Sequence, residues 1–219
     1  MSYLVGLEKE FFIKKITGIP NTDDENYHEE FISAKDANLS DACDECGYLA
    51  EARGEPKPDI IAALFSLKEK VFRIKKGLPD GIILDDFPFQ KIPRKIMHGF
   101  QRQYGKNAAQ DECMYGDIKM KQFQTAGLHV HFSSSYSMSQ ACSCGQVIKY
   151  NKSQQLNIPR IVQAFDTYFA KQIKEAKRQR GMYEMKPWGF EYRSLPANIP
   201  EKMLIEFMEL SLKGGYFNV

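Results

Sequence analysis

Residues Gly127-Leu128-His129-Val130-His131-Phe132-Ser133 constrain the fold more than any other stretch of the chain. Side chains of a strand alternate between faces, so His129, His131 and Ser133 share one side while Leu128, Val130 and Phe132 share the other. One side belongs against a core and the other is chemically equipped. Three further segments read the same way: Glu8 and Glu10 in Gly6-Leu7-Glu8-Lys9-Glu10-Phe11-Phe12, Glu51 and Arg53 in Tyr48-Leu49-Ala50-Glu51-Ala52-Arg53-Gly54, and Glu191 and Arg193 in Gly189-Phe190-Glu191-Tyr192-Arg193. Four such strands predict one sheet, with helices on its apolar back and with cations and an anionic ligand on its front.

The reason lies in charge. Two residues apart on a strand, Glu8 and Glu10 stand about 7 Å apart, and further carboxylates joining them in a cleft repel and shift towards protonation. Divalent cations remove that penalty. Carboxylate oxygen with an imidazole suits magnesium or manganese better than a thiolate-rich zinc site does. Arginines on the same face indicate that the metal-bound ligand is itself anionic, because guanidinium grips phosphate or carboxylate with two parallel hydrogen bonds. Two plainer readings stand beside this one: His129 and His131 as ordinary histidines without a ligand, and Glu51 and Glu191 paired to Arg53 and Arg193 only to satisfy their strands. An H-x-H pair also opens many zinc hydrolase sites, but those need more histidines than His28 and His98 supply.

A chain of 219 residues suits a single domain with a sizeable core, and 43% hydrophobic with 26% charged residues is an ordinary globular mixture. The net charge of +2 gives no global field for nucleic acid or an acidic membrane. The longest wholly apolar run, from Ile60 to Phe65, is too short to cross a bilayer, and the first residues lack a basic segment followed by a long apolar one. The expectation is a soluble cytoplasmic protein. Five cysteines, an odd number, argue for reduced thiols or metal ligands over a disulfide framework. Cys43 with Cys46 and Cys142 with Cys144 form two knuckle-like pairs, either one structural zinc clip or four unrelated reduced thiols. Nothing supports a nucleophilic role for Cys113.

In chain order, the first strand runs from about Tyr3 to Lys14, and the acidic stretch from Asp23 to Glu30 reads as a loop or helix start. Ile60, Ile61, Leu64, Leu67, Val71 and Ile74 mark a helix closed by Gly77, a candidate cover for the back of the sheet. Ile82-Ile83-Leu84 is a short strand, Arg94 to Tyr104 a basic helix, and the polar residues from Lys106 to Gln124 a loop. The third site strand spans Thr125 to Ser133. Pro159 opens a long helix carrying Ile161, Val162, Phe165, Phe169 and Ile173 on one face, basic in its last turns and capped by Gly181. Pro200 starts a final helix with Met203, Leu204, Phe207 and Met208 inward. Trp188, between Pro187 and Gly189, is a packing corner or a stacking platform for a base.

Taken in order, the motifs G-L-E-x-E, E-x-R-G, A-G-L-H-V-H-F-S and G-F-E-Y-R-S-L-P-A-N resemble the catalytic strands of the glutamine synthetase and glutamate-cysteine ligase superfamily, with phage-type carboxylate-amine ligases as the nearest likeness. The resemblance implies an α+β fold with a curved antiparallel sheet in the glutamine synthetase manner, helices on its back, and ATP with two or three divalent metals, Mg2+ or Mn2+, in the cup. It implies that Glu10 and Glu51 hold the metal on the substrate side. Glu8, His129 and Glu191 would hold the one bridging the β- and γ-phosphates. His131 and Ser133 match positions that approach the nucleotide, and Arg193 an arginine at the phosphates. A second carboxylate after Glu51 is expected, with Glu55 nearest. An arginine upstream of the last Glu is expected too; Arg178, Arg180 and Lys186 are the candidates, and Arg180 is the choice.

The expected activity is ATP-dependent amide formation through an acyl phosphate, with Arg193, Glu51 and Arg180 as catalytic residues and a small-molecule or peptide acid and amine as substrates. Membrane and nucleic acid are not indicated, and a homo-oligomer fits the pattern of the superfamily. Two alternatives remain open: a phosphotransferase of the same fold, and a non-catalytic zinc-clipped binding module.

Overall fold

The computed structural model describes residues 4–18, 28–33, 37, 49–90, 111–116, 124–133, 156–186 and 189–213. Strand β1 (Leu4–Thr17) is the axis of the sheet. It sends Val5, Leu7, Phe11 and Ile13 into the core and Glu8 and Glu10 to the other side, as period-two alternation requires. Four strands pair with it, all antiparallel: β8 (Gly127–Ser133) along its first residues, β3 (Leu49–Arg53) at its middle, and β4 (Ile82–Asp85) and β2 (His28–Phe31) towards its end. Beyond β8 the sheet continues through β10 (Gly189–Pro196), β9 (Met182–Lys186) and β6 (Asp111–Cys113). The result is an α+β architecture, a curved antiparallel half-barrel, with four helices among the described residues. A separate two-stranded ribbon pairs β5 (Phe89–Gln90) with β7 (Gln124–Thr125).

The helices cover the apolar back. Helix α1 (Ile60–Lys76) starts where Asp59 accepts a hydrogen bond from the Ala62 N–H at 2.8 Å. It buries Ile60, Ala63, Leu64, Leu67 and Ile74 against β1 and β3. Gly54 permits that approach, since a β-carbon there would sit 2.8 Å from the Leu67 nitrogen. On the other half, α2 (Ile158–Tyr168), α3 (Ala170–Glu175) and α4 (Glu201–Lys213) enclose an aromatic cluster centred on Phe165. Its ring centroid lies 4.6 Å from that of Tyr192, 4.4 Å from Phe207 and 5.8 Å from Phe132. Such contacts add to the hydrophobic gain of burial.

Several elements differ from the expectation. The long helix is divided at Phe169 and ends at Glu175; Lys177 then takes a left-handed φ of 56°, and Gly181 (φ 76°) turns the chain into β9 instead of capping a helix. Strand β9 was not foreseen, because its alternation buries Glu184 where an apolar residue would signal a strand. The polar segment before residue 125 contributes β6 and β7, the third site strand is interrupted at Ala126, and His28–Phe31 is a strand edge and neither loop nor helix. The expected basic helix from Arg94 to Tyr104, both cysteine pairs and Trp188 lie outside the described residues. No helix among the described residues is long and apolar enough to cross a membrane.

Candidate metal and anion site

Sheet register alone assembles the site. Glu10 stands opposite Glu51; Glu8 lies between Arg53 on β3 and His129 on β8; His131 lies between Gly6 and Glu191, which in turn faces Glu184 on β9. One row further, Ser133 faces Gly189, which faces Lys186. Five strands therefore bring together Glu8, Glu10, Glu51, His129, His131 and Glu191, ringed by Arg53, Arg193 and Lys186.

Two devices fix β10 in that register. At Gly189 it runs so close to β8 that an added β-carbon would meet the Phe132 carbonyl oxygen at 1.8 Å. After Tyr192 a β-bulge sets Arg193 and Ser194 together opposite His129. Arg178 fastens the bulge: its guanidinium donates to the Arg193 carbonyl at 2.6 Å, to the Ser194 carbonyl at 3.2 Å and to the Thr125 hydroxyl at 3.0 Å. Gly127 leaves room for it, since a β-carbon there would sit 2.5 Å from Arg178 Nη2. Arg178 is thus held mainly by the bulge carbonyls and touches the cluster at its edge, 4.0 Å from Glu10 Oε2, while Lys186 reaches its middle, 3.0 Å from Glu191 Oε2. Arg180, the expected choice, does not join it: its guanidinium lies over the Tyr115 ring at 5.6 Å and in the field of Asp166, on the helical side of the sheet. Glu55 is also away from the cluster, exposed and paired with Lys57 at 2.8 Å.

His129 sits at the centre, 1% exposed. Its Nδ1 is 2.9 Å from Glu191 Oε1, 3.7 Å from Glu8 Oε2 and 4.0 Å from Glu51 Oε1, while Nε2 is 3.7 Å from Glu10 Oε1. Close as these are, Nδ1 makes no hydrogen bond of acceptable direction, and a buried nitrogen in that state costs free energy unless something else engages it. His131 Nε2 is 3.1 Å from Glu8 Oε1. Two sets of donor atoms converge within 4.8 Å of one another: Glu8, Glu51 and His129, and Glu8, His131 and Glu191. Both contain Glu8. An all-oxygen and imidazole donor set of this kind fits magnesium or, better, manganese.

Electrostatics describe the same crowding. Burial, and then Glu8 facing it, pushes the Glu51 carboxyl up to about 9. Burial works against ionisation of Glu8 as well, yet the two imidazoles and the proton shared with Glu51 hold it well below the usual carboxylate range. Burial opposes charge on His129, but Glu10 and Glu191 prevail over Arg193 and push it up to about 10. Glu191, against its own burial, is held low by His129, Arg193 and His131. Without metal, burial and Glu8 keep a proton on Glu51, and Glu10 and Glu191 keep one on His129, at neutral pH.

The strand-satisfying ion pairs exist too. Arg53 meets Glu51 at 2.8 Å and Glu8 at 3.1 Å, and Arg193 lies 3.4 Å from Glu191. They leave Glu8 and Glu51 still face to face, so pairing does not exhaust the cluster. Sequence reasoning overlooked Glu184, whose two oxygens hold Lys186 and Arg193, each at 2.6 Å. The only signal for it was Glu184 and Lys186 sharing one face of a short alternating segment. Comparison with the models of known protein families, with curated proteins and with solved structures found no match.

Proposed function

We propose that the chain is an ATP-dependent carboxylate-amine ligase that works with magnesium or manganese on a glutamine synthetase-like sheet. The observation that carries this reading is the pair of carboxylate and imidazole clusters sharing Glu8, with Arg193, Lys186 and Arg53 around them on one sheet face. Glu8, Glu51 and His129 would hold one cation, and Glu8, His131 and Glu191 another; Glu10, anchored by the Gly127 N–H, faces His129 from behind. Cations held by these residues would supply neutralisation of triphosphate charge and polarisation of the γ-phosphoryl group.

The protein's own side chains account for the remaining requirements. Arg193 and Lys186 lie beside Glu191, where their charge stabilises a phosphoryl group in flight. Arg53, its side chain 47% exposed at the rim and bridging Glu8 and Glu51, would present positive charge to an incoming carboxylate. Ser133 and His131 occupy the end of the row towards Lys186, where the nucleotide would enter. An acid substrate takes the γ-phosphoryl group and ADP leaves; an amine then attacks the acyl phosphate, the C–N bond forms as the C–O bond to phosphate breaks, and phosphate departs with the proton the amine gives up. Arg180 has no part in this scheme.

A screen of paired acids and amines with ATP and magnesium tests the reading. Amide, ADP and free phosphate should appear only when both substrates are present, and Glu191→Gln or His129→Ala should abolish ADP formation with the fold intact. A phosphorylated acid formed without amine would make the protein a phosphotransferase. Undiminished turnover in either variant would remove the residue assignment, and no ATP binding at all would remove the function.

A further inference from the structure

Helix α1 is apolar on a second face that the core does not use. Ile61, Phe65, Lys68 and Phe72 follow one line at spacings of four, three and four, away from the core-facing Ile60, Ala63, Leu64, Leu67 and Ile74. Phe65 is 68% exposed, Phe72 67% and Ile61 46%. Two phenylalanines two turns apart on one line form a stripe, which scattered surface residues do not.

The stripe is self-complementary. Its midpoint falls between Lys68 and Glu69, with Phe65 and Phe72 equidistant on either side and about 10 Å apart along the axis. Laid antiparallel on a second copy about that point, Phe65 meets Phe72 and Phe72 meets Phe65, Lys68 meets Glu69 and Glu69 meets Lys68. Ile61 meets the aliphatic stem of Lys76. Lys68 and Glu69 are at present paired within the chain, to Glu201 at 2.6 Å and Arg73 at 2.5 Å, but exposed pairs of this kind exchange readily. A two-fold contact needs every residue i that touches j to be repaid by j touching i, and this helix face satisfies that rule.

The geometry points to α1 as the interface of a two-fold homodimer, in which two copies pack their α1 helices antiparallel through Phe65 and Phe72. Because α1 lies on the apolar back of the sheet, such a dimer leaves both candidate sites open. An interface one helix wide is small, so association is expected in the micromolar range.

Sedimentation equilibrium of the full chain across that range tests it. The wild type should associate to a dimer; Phe65→Glu should raise the dissociation constant roughly tenfold or more with unchanged circular dichroism, since the side chain it replaces is exposed. Lys68→Glu should weaken association by setting like charges opposite one another, and the double variant K68E/E69K should restore it. A wild-type monomer throughout, or a dimer indifferent to both Phe65→Glu and Lys68→Glu, overturns the proposal; neither result bears on the metal site.

Discussion

Glu191 and Tyr192 are consecutive residues of β10, both almost wholly buried, and they face opposite worlds. On the back, the Tyr192 hydroxyl donates to Asp166 Oδ1 at 2.6 Å, and this acid-phenol pair sits among Phe165, Phe132 and Phe207. Burial pushes Asp166 up and Tyr192 well above its usual range, so the phenol keeps its proton and uses it in the hydrogen bond to Asp166. On the front, Glu191 joins Glu8, Glu10 and Glu51 around His129, where four carboxylates crowd one buried imidazole. The back is built to be stable by itself, and the front is built to be completed by something else. Substitutions on the two sides should therefore separate stability from binding.

The largest effect is expected on the back. Phe165→Ala should cost about 3–5 kcal/mol in urea unfolding, the range for emptying a fully buried aromatic site; a cost under about 1 kcal/mol would show that the back does not carry the fold. Gly189→Ala comes next and should damage both faces at once. Its β-carbon would collide with the Phe132 carbonyl, so β10 must shift against β8, costing about 2 kcal/mol or more and weakening cation binding together with stability. Binding intact after that loss of stability would mean that the register of Glu191 is immaterial. Tyr192→Phe should cost about 1–3 kcal/mol by removing the buried phenol donor from Asp166, with cation binding unaltered.

The smallest effect on stability belongs to the front. Glu51→Gln replaces a carboxyl that is already protonated at neutral pH, so metal-free stability should change by less than about 1 kcal/mol while cation affinity falls. Its signature lies in pH. Folded Glu51 keeps its proton to about pH 9 against a usual 4.5, so the folded state holds the extra proton between those values and stability falls as pH rises through them. His129, raised from 6.5 to about 10, adds the same sign: its contribution is complete below pH 6.5 and is lost as pH approaches 10. Glu8 and Glu191, held low, act oppositely and only in the acid range, where stability is lost as they protonate. Thermal unfolding of metal-free protein should therefore move to lower temperature between pH 7 and 10. Saturating magnesium, by displacing both protons, should flatten that decline, as should Glu51→Gln in part; an unchanged slope in either would contradict the shared proton.

The same contrast explains what could be read from the sequence. The apolar back, the helix from Ile60 and the four strands carrying Glu8, Glu51, His129 and Glu191 announce themselves through period-two and helical patterns. Strand β9 did not, because a strand that buries Glu184 looks polar until its partners Lys186 and Arg193 are seen in space. Arg180 and Arg178 were indistinguishable in sequence, two residues apart on a basic segment. The left-handed Lys177 and the bulge after Tyr192, both tertiary features, send Arg178 to the bulge carbonyls and Arg180 to Tyr115.

Glu8 is the one residue common to both clusters, so its replacement tests the front directly. Manganese binding followed by electron paramagnetic resonance should show saturable uptake by the wild type, displaced by magnesium, and its loss in Glu8→Gln protein whose circular dichroism is unchanged. Equal uptake by the two proteins, or none by the wild type at millimolar manganese, would contradict the account.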